Sequence, residues 1–430
     1  MGFYKSSINF FYFMIQGYLK ILRRKNFVFL WISQIIAQFG DRLTQMALIG
    51  LVYRINPGSS IGLAKMFSLA IIPVFLISPI SGVYVDRWDK RKTMYASDFL
   101  RSLFIFLIPI AVSRFHSIPL VYFLIFLSFC VGRFFIPAKM AVIPSLVEKE
   151  DFFMANSLVS VTATIAAVLG FGFGGMIVEK WGVEQAFYIN AFTFVISGIL
   201  ISAMRMPGKA KFDPKDILEL GKDAIIKAKN SFVYEIHEGI KYILSSKETL
   251  YAAKVQFILF ALIGSLYTVF IVFIQQTLST GTFALGWLAV GSGAGLFLGS
   301  LLYGKIGANV PIRKTINLSL LSSSLYLIAF VVLLKFYPYK IFAFISCFIL
   351  GLVASPVVIA VNTLIHNESE DKFWGRIFSS LEIIIHIAFI IFMFIASYLA
   401  EKFSPFTIII AVSIITMVLS FVFLREKPDA

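Results

Sequence analysis

Gln34, Gln38, Asp41 and Gln45 are spaced four, three and four residues apart, which puts all four on one face of a helix. They lie within a long apolar stretch. Asp41 comes fifteen residues after Asn26, or roughly 22 Å along a helix axis. That depth is near the middle of a bilayer or slightly beyond it. A carboxylate there is costly unless it pairs, takes up a proton or meets water. One reading is a buried polar contact that holds helices together. The preferred reading is the wall of a cavity, with Asp41 binding substrate or a proton and the three glutamines lining the path. Arg42 points about 100° away around the helix and is expected to face a neighbouring helix.

Further charges interrupt other apolar stretches, namely Lys65, Asp98, Arg101, Arg133 and Glu382. Asp98 and Arg101 are three residues apart, near the inner end of their span, and are expected to neutralise each other. Arg133 comes late in its span, before Pro137, and reads as a side chain that snorkels to the cytoplasmic surface. Glu382 and His386 share a helix face. A carboxylate beside an imidazole can relay protons, because histidine titrates near neutral pH. Glu382 can equally serve as the counter-charge to a basic cluster, and the sequence leaves both readings open.

That basic cluster is the segment 82–92, GVYVDRWDKRK, with two carboxylates and four cations between two apolar stretches. Charge packed so tightly at a membrane surface suits a gate latch. A second pattern, AAVLGFGFGG, places Ala166, Gly170, Gly174 and Gly175 four apart or adjacent. Small residues at that spacing let another helix approach closely in lipid. The expected result is a close, sliding contact between the two halves of the chain, and Gly286, Gly291, Gly293, Gly295 and Gly299 suggest the same.

The elements that must position these residues are membrane helices. The 430 residues are 59% apolar and only 14% charged, so lipid is the main solvent. Twelve stretches reach the roughly 20 apolar residues that a crossing requires: 26–53, 62–85, 93–113, 118–137, 156–178, 185–205, 255–276, 281–304, 315–335, 339–361, 376–400 and 404–424. The runs are continuous rather than alternating, which excludes a closed barrel. The expected fold is an all-α membrane protein with twelve transmembrane helices in two six-helix bundles, 26–205 and 251–430. Residues 1–25 form a cytoplasmic interfacial segment, with an apolar run followed by Arg23, Arg24 and Lys25. Residues 206–250 form a charged cytoplasmic linker, part of it amphipathic and lying along the membrane.

A net charge of +15 would suggest nucleic acid in a soluble protein, but its distribution explains it without one. Of 38 Lys and Arg, only Arg54, Arg114, Lys180, Lys335, Lys340 and Lys402 fall in loops opposite the N-terminus, and Arg42, Lys65, Arg101 and Arg133 lie within spans. The asymmetry puts both termini in the cytoplasm of a multi-pass inner-membrane protein. Cys130 and Cys347 lie in separate apolar stretches and imply no disulfide. There is no Walker motif and no Cys or His ligand cluster. No cofactor or metal is expected, and an ion gradient is the expected energy source.

The segment 82–92 resembles the signature of the major facilitator superfamily between its second and third helices. Gly82, Asp86, Arg87, Lys90 and Arg91 match it, while Asp89 stands where a second glycine is usual. AAVLGFGFGG resembles the antiporter motif of the fifth helix, with Phe171 at the usual proline. The FGD of the first span, IPSLV with ANSL, INAFTF and WGRIFS are similar to the branch that contains macrolide and siderophore exporters. The resemblance implies that Asp86 meets the start of the eleventh helix and helps close the cytoplasmic side. Asp98 and Arg101 are grouped with this gate.

The expectation is therefore a monomeric, proton-coupled exporter of a small amphipathic molecule, working by alternating access. Asp41, Gln34, Gln38, Gln45, Arg42, Arg133, Glu382 and His386 are its candidate path and coupling residues. Membrane lipid is a partner, and nucleic acid is not. The alternatives are a lysophospholipid transporter of the same fold and a membrane-embedded enzyme acting on lipid head groups, against which stands the scatter of the acidic residues.

Overall fold

The computed structural model describes residues 17–205, 234, 237–238, 240–241, 243–245, 247–307, 310–368 and 374–425. Among them, twelve long helices run in chain order: α1 Lys25–Ile55, α2 Ser60–Arg87, α3 Lys90–Ser113, α4 Ile118–Leu146, α5 Phe152–Trp181, α6 Val183–Ser202, α7 Lys247–Leu278, α8 Phe283–Ile306, α9 Ile312–Phe336, α10 Lys340–Glu368, α11 Trp374–Lys402 and α12 Pro405–Arg425. Each expected apolar stretch lies on one of them. Ten are long and apolar enough to cross a membrane by length and composition alone. The first is not among the ten, since Gln34, Gln38, Asp41, Arg42 and Gln45 interrupt its middle. The described apolar part of the last, Pro405–Phe421, is short.

The helix ends follow from local chemistry. Asp89 is the N-cap of α3, its side chain accepting a hydrogen bond from the Lys92 amide at 2.8 Å. The carboxylate that stands in for a signature glycine thus has a role of its own, satisfying a donor that the helix leaves free. Ser117 caps α4 in the same way, through the Leu120 amide. A single residue, Gly182, joins α5 to α6 at φ +96°, a conformation that side chains disfavour.

Contacts divide the chain into two compact units. The first holds Met1–Ala47, Leu69–Gly170 and Trp181–Lys229, and the second holds Leu48–Ser68, Phe171–Lys180 and Asn230–Ala430. Much of the expected linker, 206–233, lies outside the described residues. In the first unit α3 packs on α4 and α6, and in the second α9 packs on α10 and α12. The two sets are six helices apart, so the chain repeats one packing scheme.

The second unit corrects one expectation. Gly291, Gly295 and Gly299 of α8 face α10, and added Cβ atoms there would meet Phe344, Phe348, Leu352 and Ser355. Their small size serves packing between two helices of the second half of the chain, not a contact between halves. Near the linker, Ile243 is buried in a core with Tyr251, Val255, Ile316 and Val361, while Ile240 and Leu244 are exposed.

The first unit is tied together at the side that carries the N-terminus. Asn26 and Arg205 exchange two hydrogen bonds, from Asn26 Nδ2 to the Arg205 carbonyl at 2.8 Å and from the Arg205 amide to Asn26 Oδ1 at 3.0 Å. Arg91 donates to the Met204 carbonyl. Residues 17–22 are helical. There Ile21 enters a core with Phe27, Leu30, Val85, Met94 and Phe135. Beside it, Lys20 reaches Glu148 at 2.7 Å and Asp151 at 3.0 Å, and Arg24 reaches Glu148 at 2.5 Å.

Hydrogen bonds from Lys20 first, and then from Arg24, hold the Glu148 carboxyl below its usual range. The Glu148 and Asp151 carboxylates raise the Lys20 amine. A lowered carboxyl stabilises above its ordinary value and loses that contribution as pH falls through the folded value. A raised amine stabilises below its ordinary value and loses that contribution as pH rises through the folded one. The clamp is therefore constant through neutrality and weakens at both extremes. Glu148→Gln is expected to increase tryptic cleavage at Arg23 and Arg24 at neutral pH. Amide exchange at 18–24, corrected for its intrinsic rate, should rise in acid for the native chain but change little with pH in the variant.

Candidate functional site

The stripe on α1 faces a cavity of about 330 Å³ inside the first unit. Gln34, Gln38, Asp41 and Gln45 all line it, with Arg42 from the same helix, Asp98 and Arg101 from α3, and Arg133 and Lys139 from α4. Phe129, Phe135 and Ile136 supply an apolar wall. Helical period and tertiary position agree here, since residues on one face of α1 meet one space.

An ion pair dominates the cavity. Arg101 Nη2 donates to Asp41 Oδ1 at 2.5 Å, with side-chain exposures of 10% and 28%. The same guanidinium lies 4.0 Å from the centre of the Phe194 ring. Arg101 thus makes its close ion pair with Asp41, while Asp98, three residues away, stays within its electrostatic reach. Asp98 is fully buried and accepts a hydrogen bond from Ser197 Oγ at 2.6 Å. Asp98 and Arg101, expected at the cytoplasmic gate, both line the cavity. Three residues of separation favoured the local pair, but the carboxylate sixty residues earlier is the one that Arg101 reaches.

The other cations also turn inward. Arg133 lines the cavity rather than snorkelling away from it. Arg42 does both things its position allows. A Cβ on Gly170 would lie 2.8 Å from Arg42 Cβ, so its stem faces α5 as expected. Its Nη1 returns to Gln45 Oε1 at 3.1 Å. Lys139, which sequence reasoning missed, donates to Gln34 Oε1 at 3.2 Å. Pro137 suggested that α4 had ended, yet the helix continues to Leu146 with two prolines inside it. The signal was present as a stripe, Phe129, Gly132, Arg133, Ile136 and Lys139, that keeps helical spacing through the proline.

Glu382 and His386 are arranged otherwise. His386 Nδ1 lies 2.6 Å from the Glu382 backbone carbonyl, to which it donates. The Glu382 side chain is exposed and lines a second, mostly apolar cavity of about 330 Å³ in the second unit, with Gln256 and Asn362. In the segment 82–92, Asp86 and Arg87 are exposed, and Lys90 Nζ donates to the Asp86 carbonyl at 2.5 Å. Gly82 lies within α2 in open space. The partner expected for Asp86, at the start of α11, has side chains outside the described residues.

The glycine motif of α5 splits its work. Gly170 packs against Phe39 and Arg42 of α1 in the first unit, while Gly175 packs against Thr282 and Gly286 of α8 in the second. Ala166 and Gly174 are buried. Two carboxylates fasten the same region. Glu179 Oε2 accepts from the Thr282 and Phe283 amides at 3.1 and 2.9 Å, capping α8. Glu401 Oε1 accepts from Ser59 Oγ at 2.7 Å and the Ile61 amide at 3.0 Å, at the start of α2. The two are counterparts. Each lies in the last turn of the fifth helix of one half and caps the second helix of the other, where a negative charge meets the positive end of the helix dipole.

A repeated six-helix scheme, with charges gathered in a cavity among long apolar helices, is the arrangement of a transporter with the major facilitator fold. Solved structures agree on the fold: a peptide transporter POT in complex with sulfate (TM-score 0.67, 13% identity, 93% of this chain and 94% of that one) and the nucleoside transporter NupG (TM-score 0.63, 11% identity, 94% and 100%). Residues 17–367 match the transmembrane secretion effector family of major facilitator proteins, and the chain belongs to that family. It is similar to the putative bacilysin exporter BacE of Bacillus subtilis (26% identity, 84% of each chain) and to macrolide efflux protein A of Streptococcus pyogenes (23% identity, 87% of this chain and 89% of that one). The protein is thus a multi-pass transporter of the secretion and efflux type.

Two outcomes test the α5–α8 contact and its latches. A Cβ on Gly286 would lie 2.5 Å from the Phe171 carbonyl oxygen, whereas one on Gly304 meets nothing within 4 Å. Gly286→Ala should lower the thermal midpoint in detergent, at a cost of about 1–3 kcal/mol, and Gly304→Ala should not. Buried Ser60, replaced by Cys in a chain lacking Cys130 and Cys347, reports on the latches. Glu401→Ala should raise its maleimide labelling rate about fivefold, since such a charge–dipole contact contributes about 1 kcal/mol.

Proposed function

We propose that this protein exports a small amphipathic molecule across the cytoplasmic membrane in exchange for protons, with both termini in the cytoplasm. The observation that carries the reading is the Asp41–Arg101 ion pair in a polar cavity at membrane depth. An ionisable residue held there is expensive, and it marks a pathway more often than a scaffold. Protonating Asp41 breaks the pair and frees Arg101, so one proton changes the charge, the hydrogen bonding and the helix contacts of the site together. The names of two relatives, one a macrolide efflux protein and the other a putative bacilysin exporter, support export of a small organic molecule. The excess of Lys and Arg on the N-terminal side supports the orientation.

In this cycle the Asp41 cavity opens alternately to each side of the membrane. The Glu179 and Glu401 latches hold the outer ends of their helices when the outer side is shut. The 82–92 segment acts as the inner latch. The chain works as a monomer and uses no cofactor.

The test is proton release from energised inverted membrane vesicles on addition of compounds drawn from a susceptibility screen of a deletion strain. Asp41→Asn should abolish the release that an active compound causes, and Asp41→Glu should retain part of it. Removing one partner of a buried pair costs about 3–5 kcal/mol, so the variant's amount and thermal midpoint must be measured alongside. Unchanged release by well-folded Asp41→Asn protein would refute the assignment.

A further inference from the structure

We infer that the second-unit cavity is a binding site for an amine that keeps its N–H donors and is carried on an apolar body. The two halves of the chain correspond at a separation of 222 residues. Thus α1 starts at Lys25 and α7 at Lys247, α3 at Lys90 and α9 at Ile312, and α5 at Phe152 and α11 at Trp374. The same separation carries Gln34, Ala37, Gln38, Asp41 and Lys139 of the first cavity onto Gln256, Leu259, Phe260, Ile263 and Val361, all of which line the second. Of these positions only the first keeps its residue type. The second cavity is therefore the first one's counterpart, with the charges removed and one glutamine kept.

One of these exchanges leaves a specific gap. In the first unit the Lys139 ammonium donates to Gln34 Oε1 at 3.2 Å. In the second, Val361 replaces the lysine, and Gln256 Oε1 is buried with no hydrogen-bond partner on a residue only 8% exposed. An acceptor left unpaired in a protein interior is costly and rare. An ammonium brought by a ligand supplies the donor that Lys139 supplies in the other half. The cavity also holds a charge of its own, Glu382 of α11, at the position where α5 has Ser160. Among the described residues no cation lines this cavity. A carboxylate among apolar helices is expensive without a partner, and a protonated amine meets both needs, a positive charge for Glu382 and an N–H for Gln256.

The walls define the rest of the ligand. About 330 Å³ is at the small end of the roughly 300–1,000 Å³ typical of ligand pockets, enough for a compact molecule. Phe260, Ile263, Val358 and Leu381 stand beside the two acceptors, so the amine is attached to a hydrocarbon or aromatic body. Two acceptors favour a primary amine, which has three N–H donors when protonated, over a quaternary ammonium, which has the charge but no donor. Binding here is distinct from the proton coupling assigned to Asp41, and the two can fail separately.

The experiment uses the full chain in maltoside detergent and follows the thermal midpoint against three probes that share one body: 3-phenylpropylamine, trimethyl(3-phenylpropyl)ammonium and 3-phenylpropionate. The primary amine should stabilise the protein, the quaternary ammonium should do so less, and the acid should not. Glu382→Gln and Gln256→Leu should each weaken the apparent affinity of the amine about tenfold or more, as loss of a hydrogen-bond partner to a charged group does. Val361→Lys places an ammonium at the counterpart of Lys139 and should abolish amine binding, whereas Val361→Met should keep it. If Val361→Lys does not fold, the Glu382 and Gln256 variants decide. Equal stabilisation by the quaternary probe, amine binding indifferent to Glu382 and Gln256, or no response to the amine overturns the inference. So does amine binding that is lost in Asp41→Asn and kept in Glu382→Gln, which places the amine in the first unit. Amine binding that depends on Glu382 while proton release ignores Asp41 would sink the coupling reading and leave this one standing.

Discussion

A carboxylate held within hydrocarbon must be neutralised, and much of the first unit is arranged around meeting that demand for Asp41. The partner is Arg101, and to bring it within 2.5 Å helices α1 and α3 must keep a fixed register. Gly132 leaves room for the guanidinium, since a Cβ there would come to 3.3 Å from Arg101 Nε. Phe194 supplies a ring for the same group to lie over. Gly40, next to Asp41, lets α1 approach α6 where Asn190 and Thr193 would otherwise collide with it, and Asn190 Nδ2 then reaches Thr44 Oγ1 at 2.5 Å. In lipid, apolar packing alone does not choose between helix partners, because lipid tails are as apolar as leucine. Polar pairs and small residues make the choice, and here they converge on one residue.

The helix ends use a gentler form of the same electrostatics. Asp89, Glu179 and Glu401 each meet backbone amides at a helix start, where the charge is stabilised by about 1 kcal/mol or less at an exposed site. Glu148 instead meets two cations from the N-terminal segment. Contacts of this size hold an arrangement without locking it. The glycine contacts differ in kind. Where Gly175 meets Gly286, and where the α8 glycines meet α10, backbones touch, and only sliding or separation can change them. Strong steric seams and weak charged fastenings thus occur side by side in the second unit, as a molecule that must move along set directions requires.

What the sequence revealed and concealed follows from the range of each interaction. The spans were legible because crossing a bilayer requires long apolar runs that nothing else in the fold can supply. The α1 stripe was legible because helical period is local, and it reached the cavity intact. The partner of Arg101 was not legible, since the rule for residues three apart proposed Asp98 while the actual contact spans α1 and α3. Lys139 was hidden behind Pro137, because in a membrane helix neighbouring groups tolerate a proline that would end a helix in water. Likewise, the α8 glycines announced a close contact but not its partner. Periodicity names a face; only the tertiary fold names what it faces.

The exposure of the central pair bears on the proposed coupling. A fully exposed ion pair contributes about 0–1 kcal/mol, so one proton would alter little beyond its own residue. A fully buried pair resists separation by about 3–5 kcal/mol, and its carboxylate would be out of reach of protons in ordinary solution. Asp41 is 28% exposed while Arg101 is 10% exposed, so the acid faces the cavity and the base faces the protein. In the proposed coupling, a proton arriving through the cavity would meet the carboxylate first, and the arginine it releases would remain attached to α3 beside Phe194 and Gly132. The charge change would then be delivered to helix packing rather than lost to solvent. That asymmetry, more than the presence of an acid and a base, is what suits the pair to link proton movement to helix movement.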